Sequence, residues 1–584
     1  MNSQPVSGLT VAALLLAAFA SIAIGVYGVR LARTTSDFLV ASRSVGPRWN
    51  AAAISGEYLS AASFLGVAGL IAKYGADALW YPVGFTAGYL GLLLFVAAPL
   101  RRSGAYTMPD FVEFRLGSRP VRKLAALVVV LICAVYLIPQ FQGAGLTLRI
   151  LLGVPGWVGA VAVGAIVIGT VAGGGMRSIT FVQAFQYWLK LTAIAIPALV
   201  LLAHFLGSDR EIGSPAPPIV AQRTTVDITT GVVVRLDEPQ RLWVEGTLDD
   251  RPIADTVLLP PGEHEFGAGS TLVLDPGARV PVVVGAPGSG AEWLAPGGGL
   301  GGPHPLYQVY SLIIATFLGT MGLPHVLVRF YTNPDGRAAR TTASAVIGLV
   351  GFFYLFPVLL GVCARLYVPQ LLITGASDAA VLLLPGSVLS GLPGQLLGAL
   401  VAAGAIAAFL STSSGLLVSI AGVLGTDVLR GRIRDFRLAA IVAGVVPLVL
   451  SQAVTALDLS RSVGLAFAVA ASTLCPLLLL GIWWRGLTAT GAAAGLLVGG
   501  LLSGGATVVS VLGGVPGDLA GGWLAAVLSY PAAVSVPLAT IAMILVSLAT
   551  DRQSERTIGR VFIRMHAPEP LGMGADRERG LRSA

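Results

Sequence analysis

The chain has 584 residues, of which 55% are hydrophobic and 11% are charged, whereas an average soluble domain is about 25% charged. This composition excludes an ordinary soluble protein and predicts an all-α integral membrane protein. The net charge of +8 would suit nucleic acid, but the basic residues fall in short loops between apolar runs, so we expect no nucleic-acid partner. The sequence contains no metal-ligand spacing of its three cysteines and no nucleophile–base pair that would indicate an enzyme.

Apolar runs of about 20 residues, long enough to cross a bilayer, predict about thirteen membrane spans. They lie near residues 7–29, 50–72, 76–99, 122–142, 156–173, 180–206, 306–331, 341–367, 390–425, 438–457, 462–484, 488–513 and 525–549. No basic residue precedes the first run, whereas Arg30 and Arg33 follow it. We therefore expect an uncleaved first span with the N-terminus outside.

Arginine-rich loops all fall on one side of the membrane if the spans alternate in direction, and the positive-inside rule makes that side cytoplasmic. The basic residues in question are Arg30 to Arg48, Arg101, Arg102, Arg115, Arg119, Arg122, Lys123, Arg177, Arg329, Arg337, Arg340, Arg430 to Arg437, Arg485 and the tail from Arg552. The sequence thus predicts a multi-pass protein of a bacterial inner (plasma) membrane, in contact with lipid, with a cytoplasmic C-terminus.

The second span, "WNAAAISGEYLSAASFLGVAGLIAKYG", carries Glu57 within the apolar run, and an acid at membrane depth indicates a functional site. Small residues surround it, including Gly56, Ser60 and Ser63. Such a stretch can unwind and offer backbone carbonyls to a cation. The alternative is a close helix crossing with Glu57 near a wet entrance.

The fourth span contains "AVYLIPQFQGAG", in which Tyr136, Gln140 and Gln142 are polar groups on an apolar helix. These side chains could hydrogen-bond a small polar solute. They could equally satisfy the carbonyls that Pro139 releases. The sequence favours neither interpretation.

The segment 207–305 interrupts the series of spans and carries thirteen acidic residues against six arginines. Two stretches in it, "TTGVVVRLDEPQRLWVEGTL" and "TLVLDPGARVPVVVGAP", are typical of short strands separated by turns. We expect a small, β-rich extracytoplasmic insertion, with a disordered acidic loop as the alternative.

The seventh span, "YQVYSLIIATFLGTMGLPHVLVRFYT", is interrupted by Gly319, Gly322 and Pro324. Two interrupted helices five spans apart are typical of an inverted-repeat transporter whose site lies at the membrane midplane. His325 beside the break could take part in coupling, or it could be a structural hydrogen-bonding group.

The ninth span contains four successive hydroxyl side chains, Ser411 to Ser414, in "AIAAFLSTSSGLLVS". Hydroxyls in a membrane helix can bond to the carbonyl one turn earlier, and small residues allow close packing. These roles alone would explain the run.

Together, "ISGEYLSAASFLG", "YTMPDFVEFRLG", "YLIPQFQGAG", "GLPHVLVRFYTNPDGRAAR" and "VGLAFAVAAS" resemble the sodium:solute symporter family, in particular its cation/acetate symporter branch. The resemblance runs from about Ser36 to Asp551, outside the acidic insertion. It implies a LeuT-type fold, in which the second to sixth and the seventh to eleventh spans form two inverted five-helix repeats.

The resemblance also implies a Na⁺ site between the second and ninth spans, and no organic cofactor. The ligands that it assigns are the carbonyls of Gly56, Leu59 and Ala408 and the side chains of Ser411 and Thr412. Five oxygens without formal charge suit a monovalent cation. Ser413 and Ser414 project elsewhere, and we expect them to back-bond and pack.

Sugar and proline members of that family have an aspartate where this chain has Gln183, within "FVQAFQ", and acetate-type members resemble this chain. The chain keeps the Ser411–Thr412 pair that some acetate-type members lack, which strengthens sodium as the coupling ion. The candidates for coupling or gating are Glu57, Gln183 and His325.

The leading hypothesis is Na⁺-coupled symport of a small monocarboxylate such as acetate, propionate or pyruvate. The expected substrate contacts are Ser60, Ser63, Tyr136, Gln140, Thr320, Met321 and Gly322. One alternative is proton coupling through Glu57. Another is a membrane sensor that binds its ligand on the insertion.

The predicted organisation has four parts. Residues 1–206 hold spans one to six, 207–305 the insertion, 306–550 spans seven to thirteen, and 551–584 a cytoplasmic basic tail. This tail is too short for a catalytic domain, so a sensor would need a separate partner.

Overall fold

The computed structural model describes residues 7–29, 40–214, 217–228, 231–301, 304–374, 377–429, 433–454, 458–512, 522–551 and 553–568. Arg30, Arg33 and Arg552 lie outside the described residues, as does the tail from 569 to 584.

The chain is mainly helical. The helices are α1 (Gly8–Val29), α2 (Pro47–Tyr58), α3 (Val67–Tyr74), α4 (Trp80–Gly91), α5 (Ala97–Arg102), α6 (Met108–Leu116), α7 (Arg119–Leu152), α8 (Gly156–Leu206), α9 (Gly290–Leu294), α10 (Pro305–Gly322), α11 (Pro324–Phe330), α12 (Gly336–Tyr367), α13 (Ala380–Val388), α14 (Gly391–Val423), α15 (Ile433–Ala453), α16 (Leu459–Ser472), α17 (Leu474–Trp483), α18 (Ala489–Val511), α19 (Trp523–Ser529), α20 (Ala532–Leu548) and α21 (Glu555–His566).

Among the described residues, nine helical stretches are long and apolar enough to span a membrane, and two bent helix pairs raise this number to eleven. The predicted number was about thirteen because two stretches, 62–102 and 156–206, each cover parts of two predicted spans. In α8 two helical segments meet at a kink at Gly175, whose φ of 58° and ψ of −163° are not helical. The structure supports nine to eleven spans.

Two helices are broken in the way that their glycine, serine and proline content predicts. α2 ends at Tyr58, and Leu59 has a non-helical ψ of 83°. α10 ends at Gly322, and Leu323 is extended before Pro324 begins α11 at an angle of 41°. The last carbonyls before each break lack their usual helical donors and are available to other groups.

The break in α2 lies deep in the molecule, between α8 and α14, which also pack against each other. Gly56 permits this closeness, since a β-carbon there would lie 2.1 Å from the carbonyl oxygen of Gln183 on α8. Gly415 does the same on α14, where a β-carbon would lie 2.0 Å from Oε1 of Glu57.

Between α8 and α10 the chain forms an antiparallel sheet with seven described strands. They are β1 (Thr224–Ile228), β2 (Val232–Leu236), β3 (Gln240–Leu248), β4 (Arg251–Leu259), β5 (Gly262–Phe266), β6 (Ser270–Leu274) and β7 (Val282–Val283). The order is β1-β6-β3-β5-β2-β7, and β4 pairs with β3. Asp249 and Asp250 join β3 to β4 with φ of 47° and 61°, as a two-residue hairpin turn of the primed type requires.

The end of this segment is attached to the helical bundle by side-chain to backbone bonds. The indole Nε1 of Trp293 on α9 donates to the carbonyl of Ile71 at 2.7 Å. The carboxylate of Asp77 accepts from the amides of Gly297 at 3.0 Å and Gly299 at 2.6 Å. These bonds hold the connection to α10 against one end of the bundle.

Candidate functional site

The break in α2 frees the carbonyls that line the candidate cation site. The amide of Ser60 donates to the carbonyl of Tyr58 at 2.8 Å, so the carbonyl of Gly56 loses its regular partner four residues on. The carbonyl of Glu57 instead accepts from the hydroxyl of Thr412 on α14 at 2.6 Å. The hydroxyl run and the broken helix are therefore in direct contact.

A lysine from α8 enters this site. The ammonium of Lys190 donates to the carbonyl of Gly56, to the carbonyl of Leu59 at 2.6 Å and to the hydroxyl of Ser411 at 2.9 Å. An ammonium has three N–H donors, and here each has an oxygen acceptor. Lys190 is fully buried, with 0% of its surface exposed.

Three of the five predicted sodium ligands thus meet at the ammonium of Lys190. The other two oxygens are also engaged, since the carbonyl of Ala408 accepts from the hydroxyl of Ser411 at 3.1 Å and the hydroxyl of Thr412 bonds to Glu57. In this arrangement the ammonium takes the position between α2 and α14 where the predicted ligands would hold Na⁺, and it occupies three of the five oxygens.

Ser411 and Thr412 face the break in α2 as expected, but the back-bonds of the hydroxyl run differ from the expectation. Ser411 makes a back-bond to the carbonyl three residues earlier. Ser413, which was expected to back-bond, is fully buried, and its hydroxyl has no hydrogen-bond partner among the described residues. The predicted back-bond of Ser413 is therefore wrong, whereas its burial agrees with the predicted packing role.

A buried ion pair lies next to the cation site. Nε of Arg329 donates to the carboxylate of Glu57 at 2.6 Å, and these side chains are 0% and 1% exposed. The guanidinium also donates to the hydroxyl of Thr180 at 2.8 Å and to the amide oxygen of Gln183. Gln183 in turn donates to the carbonyl of Ser411 at 2.8 Å. Two coupling candidates, Glu57 and Gln183, therefore belong to one network that joins α2, α8, α11 and α14.

Sequence reasoning missed Lys190 and misplaced Arg329. Lys190 is a charged residue inside a predicted span, which is itself a signal of function. It follows Gln183 by seven residues, two helical turns, so both face the same neighbours. Arg329 was grouped with the cytoplasmic loops, but the structure buries it because Glu57 supplies the opposite charge.

The third coupling candidate, His325, lies in a second buried cluster, around Tyr136. The centroids of the His325 and Tyr136 rings are 5.5 Å apart. Ser60 lies beside Tyr136, and Gln140 follows Tyr136 by one turn of α7. Gln140 and His325 are 0% exposed, and their side-chain polar atoms have no hydrogen-bond partner among the described residues. Buried polar groups are normally paired, so this cluster suits a polar ligand.

The other predicted substrate residues already have protein neighbours. The hydroxyl of Ser63 shares a hydrogen bond of 2.8 Å with Tyr354. The hydroxyl of Thr320 lies 2.8 Å from that of Tyr58. Two further predicted residues are buried beside the break in α10: Met321 and Gly322.

One family model matches most of the sequence. The model of the sodium:solute symporter family matches residues 38–234 and 296–499. The chain belongs to the sodium:solute symporter family. It is therefore a multi-pass transmembrane protein that acts by symport, and it is a transporter and not an enzyme.

Two similar proteins extend this assignment. An uncharacterised symporter, YwcA of Bacillus subtilis, is 30% identical over 567 residues, covering 94% of this chain and 96% of the relative. A monocarboxylic acid transporter of Corynebacterium glutamicum is 32% identical over 540 residues, covering 88% of this chain and 87% of the relative.

Solved structures of symporters share the fold. A substrate-bound, outward-open Na⁺-coupled sialic acid symporter matches with a TM-score of 0.62 at 15% identity, covering 94% of this chain and all of the other. A nucleobase-cation-symport-1 family transporter, closed around bromovinylhydantoin, matches with a TM-score of 0.50 at 15% identity, covering 90% and 98%. The symporter is a helical membrane transporter with LeuT-like neighbours.

Proposed function

We propose that this symporter carries a small monocarboxylate together with a cation. The observation that carries the proposal is the cluster around Tyr136, in which the buried polar atoms of Gln140 and His325 lack partners among the described residues. The monocarboxylic acid transporter at 32% identity supports the same class of substrate.

The chemistry of the cluster suits a carboxylate. A hydroxyl, an amide nitrogen and an imidazole N–H can each donate a hydrogen bond. The nearby guanidinium of Arg329 is engaged with Glu57, so the cluster would hold the anion through neutral donors.

Enclosure supports a small substrate. The ring of Tyr136 also packs against Phe467, with centroids 6.0 Å apart, and Met321 is 1% exposed. A polar cluster with an apolar wall would accept acetate, propionate or pyruvate. We further propose that the two broken helices start two inverted repeats, that the N-terminus is outside and the C-terminus cytoplasmic, and that the β-rich insertion is extracytoplasmic.

Two coupling ions are candidates. Sodium is supported by the family and by the Na⁺-coupled structural neighbour, with Gly56, Leu59, Ala408, Ser411 and Thr412 as the proposed ligands. One observation favours the proton instead: the bonds of the Lys190 ammonium to three of those residues.

Uptake of labelled acetate, propionate and pyruvate into proteoliposomes tests the substrate proposal. The external cation is Na⁺, Li⁺, K⁺ or choline, each with and without an imposed pH gradient. We expect saturable uptake of at least one monocarboxylate that an unlabelled monocarboxylate inhibits and an unlabelled sugar does not. Uptake of none of the three under any of the gradients would contradict the proposal.

A further inference from the structure

We propose that the ammonium of Lys190 is a built-in substitute for Na⁺, so that the symporter works without sodium and Lys190 keeps the ion out of its site. The proposal deepens the proposed function, on which its uptake experiment rests. Its unfolding experiment, which detects Na⁺ binding, does not depend on the identity of the substrate.

Geometry provides the first argument. The ammonium lies within hydrogen-bond distance of two carbonyls at the break in α2, those of Gly56 and Leu59, and of the Ser411 hydroxyl on α14. A monovalent cation held between these two helices would use the same oxygens. The ammonium supplies one positive charge at that point and connects α2 and α14 through α8.

Charge provides the second argument. The charged side chain that acts on Lys190 is that of Glu57, which forms an ion pair with Arg329. This pair carries no net charge, so an ammonium at Lys190 adds one positive charge to the cluster, as a bound Na⁺ would. A second cation a few ångströms away would be repelled, and the ammonium already takes three of the five predicted ligands.

The arrangement of α8 provides the third argument. Gln183, two turns before Lys190, donates to the carbonyl of Ser411, so the same face of α8 contacts the hydroxyl run twice. Gly56 would clash with the backbone of Gln183 if it had a β-carbon. Close packing of α8 against α2 and α14 therefore brings Lys190 next to the break, where its side chain reaches the three oxygens.

Thermal unfolding of the purified full-length protein in detergent tests the substitution. Na⁺ is titrated against choline at constant ionic strength. We expect the midpoint of the wild type to change by less than about 1 °C. Lys190→Ala removes the ammonium and leaves the oxygens, so Na⁺ should raise its midpoint by about 4 °C or more, saturably. Saturable, Na⁺-specific stabilisation of the wild type would overturn the proposal. This measurement requires only the wild-type protein.

Two double variants connect the effect to the site. Lys190→Ala with Ser411→Ala loses one of the three oxygens and should lose the response to Na⁺. Lys190→Ala with Ser413→Ala should keep it, because the Ser413 hydroxyl makes no bond to the cluster. Equal responses of the two double variants would overturn the assignment of the site.

The uptake experiment extends the test to transport. With an imposed pH gradient, wild-type uptake of labelled pyruvate in choline should be within about twofold of that in Na⁺. Strict dependence of wild-type uptake on Na⁺ would overturn the proposal. If no monocarboxylate is taken up, the proposed substrate is wrong, and the unfolding experiment still decides whether Lys190 replaces sodium.

Discussion

Gln140 and Gln142 stand two residues apart on α7, but their environments are opposite. The amide of Gln142 donates to the carbonyls of Ser451 and Val454 at 3.1 and 3.2 Å. The amide of Gln140 is fully buried and bonds to no described residue. Gln142 therefore stabilises the fold, and Gln140 is available to a substrate.

Gln140→Met keeps the volume of the side chain and removes its donors. We expect KM for the transported monocarboxylate to rise about tenfold, because one hydrogen bond to an anion is lost. The thermal midpoint should not fall, since no bond within the protein is lost. The control, Gln142→Met, should lower the midpoint and change KM less than twofold. Equal KM values for both variants would contradict the role of Gln140.

Several site residues were predictable because membrane depth makes polar groups conspicuous. Glu57, Gln140 and the hydroxyl run are polar groups within apolar segments, and the structure brings Glu57, Ser411 and Thr412 into one network. Their partners were not predictable. Periodicity places Lys190 on a face of its helix but does not reveal that this face meets the break of another helix.

At the level of helices, Gly415 sets the distance between α14 and α2. A β-carbon at this position would lie 2.0 Å from Oε1 of Glu57, whereas one at Gly398, on the same helix, would have nothing within 4 Å. Replacing either glycine by alanine adds the same methyl group, but only at Gly415 does that group meet a neighbouring side chain.

Gly415→Ala should destabilise the protein by about 1–3 kcal/mol, because the added methyl group displaces a buried side chain. Gly398→Ala should stabilise it by about 0.5–1 kcal/mol, since alanine is the better helix former. Unfolding in mixed micelles measures both differences. A variant at Gly415 as stable as the one at Gly398 would show that α2 and α14 do not pack this closely.

The sheet contains a pair of titratable groups outside the helical bundle. Nδ1 of His264 on β5 lies 3.0 Å from Asp249, and Nε2 lies 3.0 Å from the carbonyl of Pro260. Burial alone would lower the pKa of His264, but the bonds to Asp249 and Pro260 and the carboxylate charge outweigh it, so this pKa is raised. The pKa of Asp249 is lowered, against the effect of its burial, by bonds from His264 and from the amide of Glu265.

A raised histidine pKa stabilises the sheet while the ring is protonated. This contribution is complete below the unfolded value, about 6.5, and is lost as pH rises through the folded pKa. The contribution of Asp249, whose pKa is lowered, is complete above its unfolded value of about 3.9 and is lost only as pH falls below that value. Hydrogen exchange of β3 and β5, corrected for intrinsic rates, should therefore become about two- to fivefold faster between pH 6 and pH 8. His264→Gln should remove this change, and an unchanged pH dependence in the variant would contradict the account.

The elements themselves were partly predictable. Glycine, serine and proline indicated both helix breaks, since these residues weaken or remove the regular hydrogen bonds. The number of spans was less accessible, because hydropathy marks apolar runs and does not show whether Gly175 ends a helix or only kinks it.

At the level of the whole molecule, side chains of the helical bundle hold the segment after the sheet, residues 287–299, by hydrogen bonds to its main chain. Besides Asp77 and Trp293, Arg365 on α12 donates to the carbonyls of Pro287 at 3.1 Å and Ser289 at 3.3 Å. Main-chain groups of the segment are the partners in most of these bonds, so its sequence shows little sign of the attachment.

Asp77→Ala removes the acceptor of two backbone amides, those of Gly297 and Gly299. We expect hydrogen exchange of residues 297–301 to become about tenfold faster, because charge-assisted bonds are lost. The control is Asp275→Ala, whose carboxylate lies 3.6 Å from the exposed Arg223. If both variants exchange alike, Asp77 does not hold the segment.

The central claim, symport of a monocarboxylate with a cation, is tested most directly by the steady-state distribution of labelled pyruvate across proteoliposome membranes. If one cation moves with each anion, a tenfold inward cation gradient should concentrate the label about tenfold inside, since both correspond to about 1.4 kcal/mol. An ionophore that collapses the gradient should return the ratio to one. A ratio that stays at one while the gradient is intact would contradict symport.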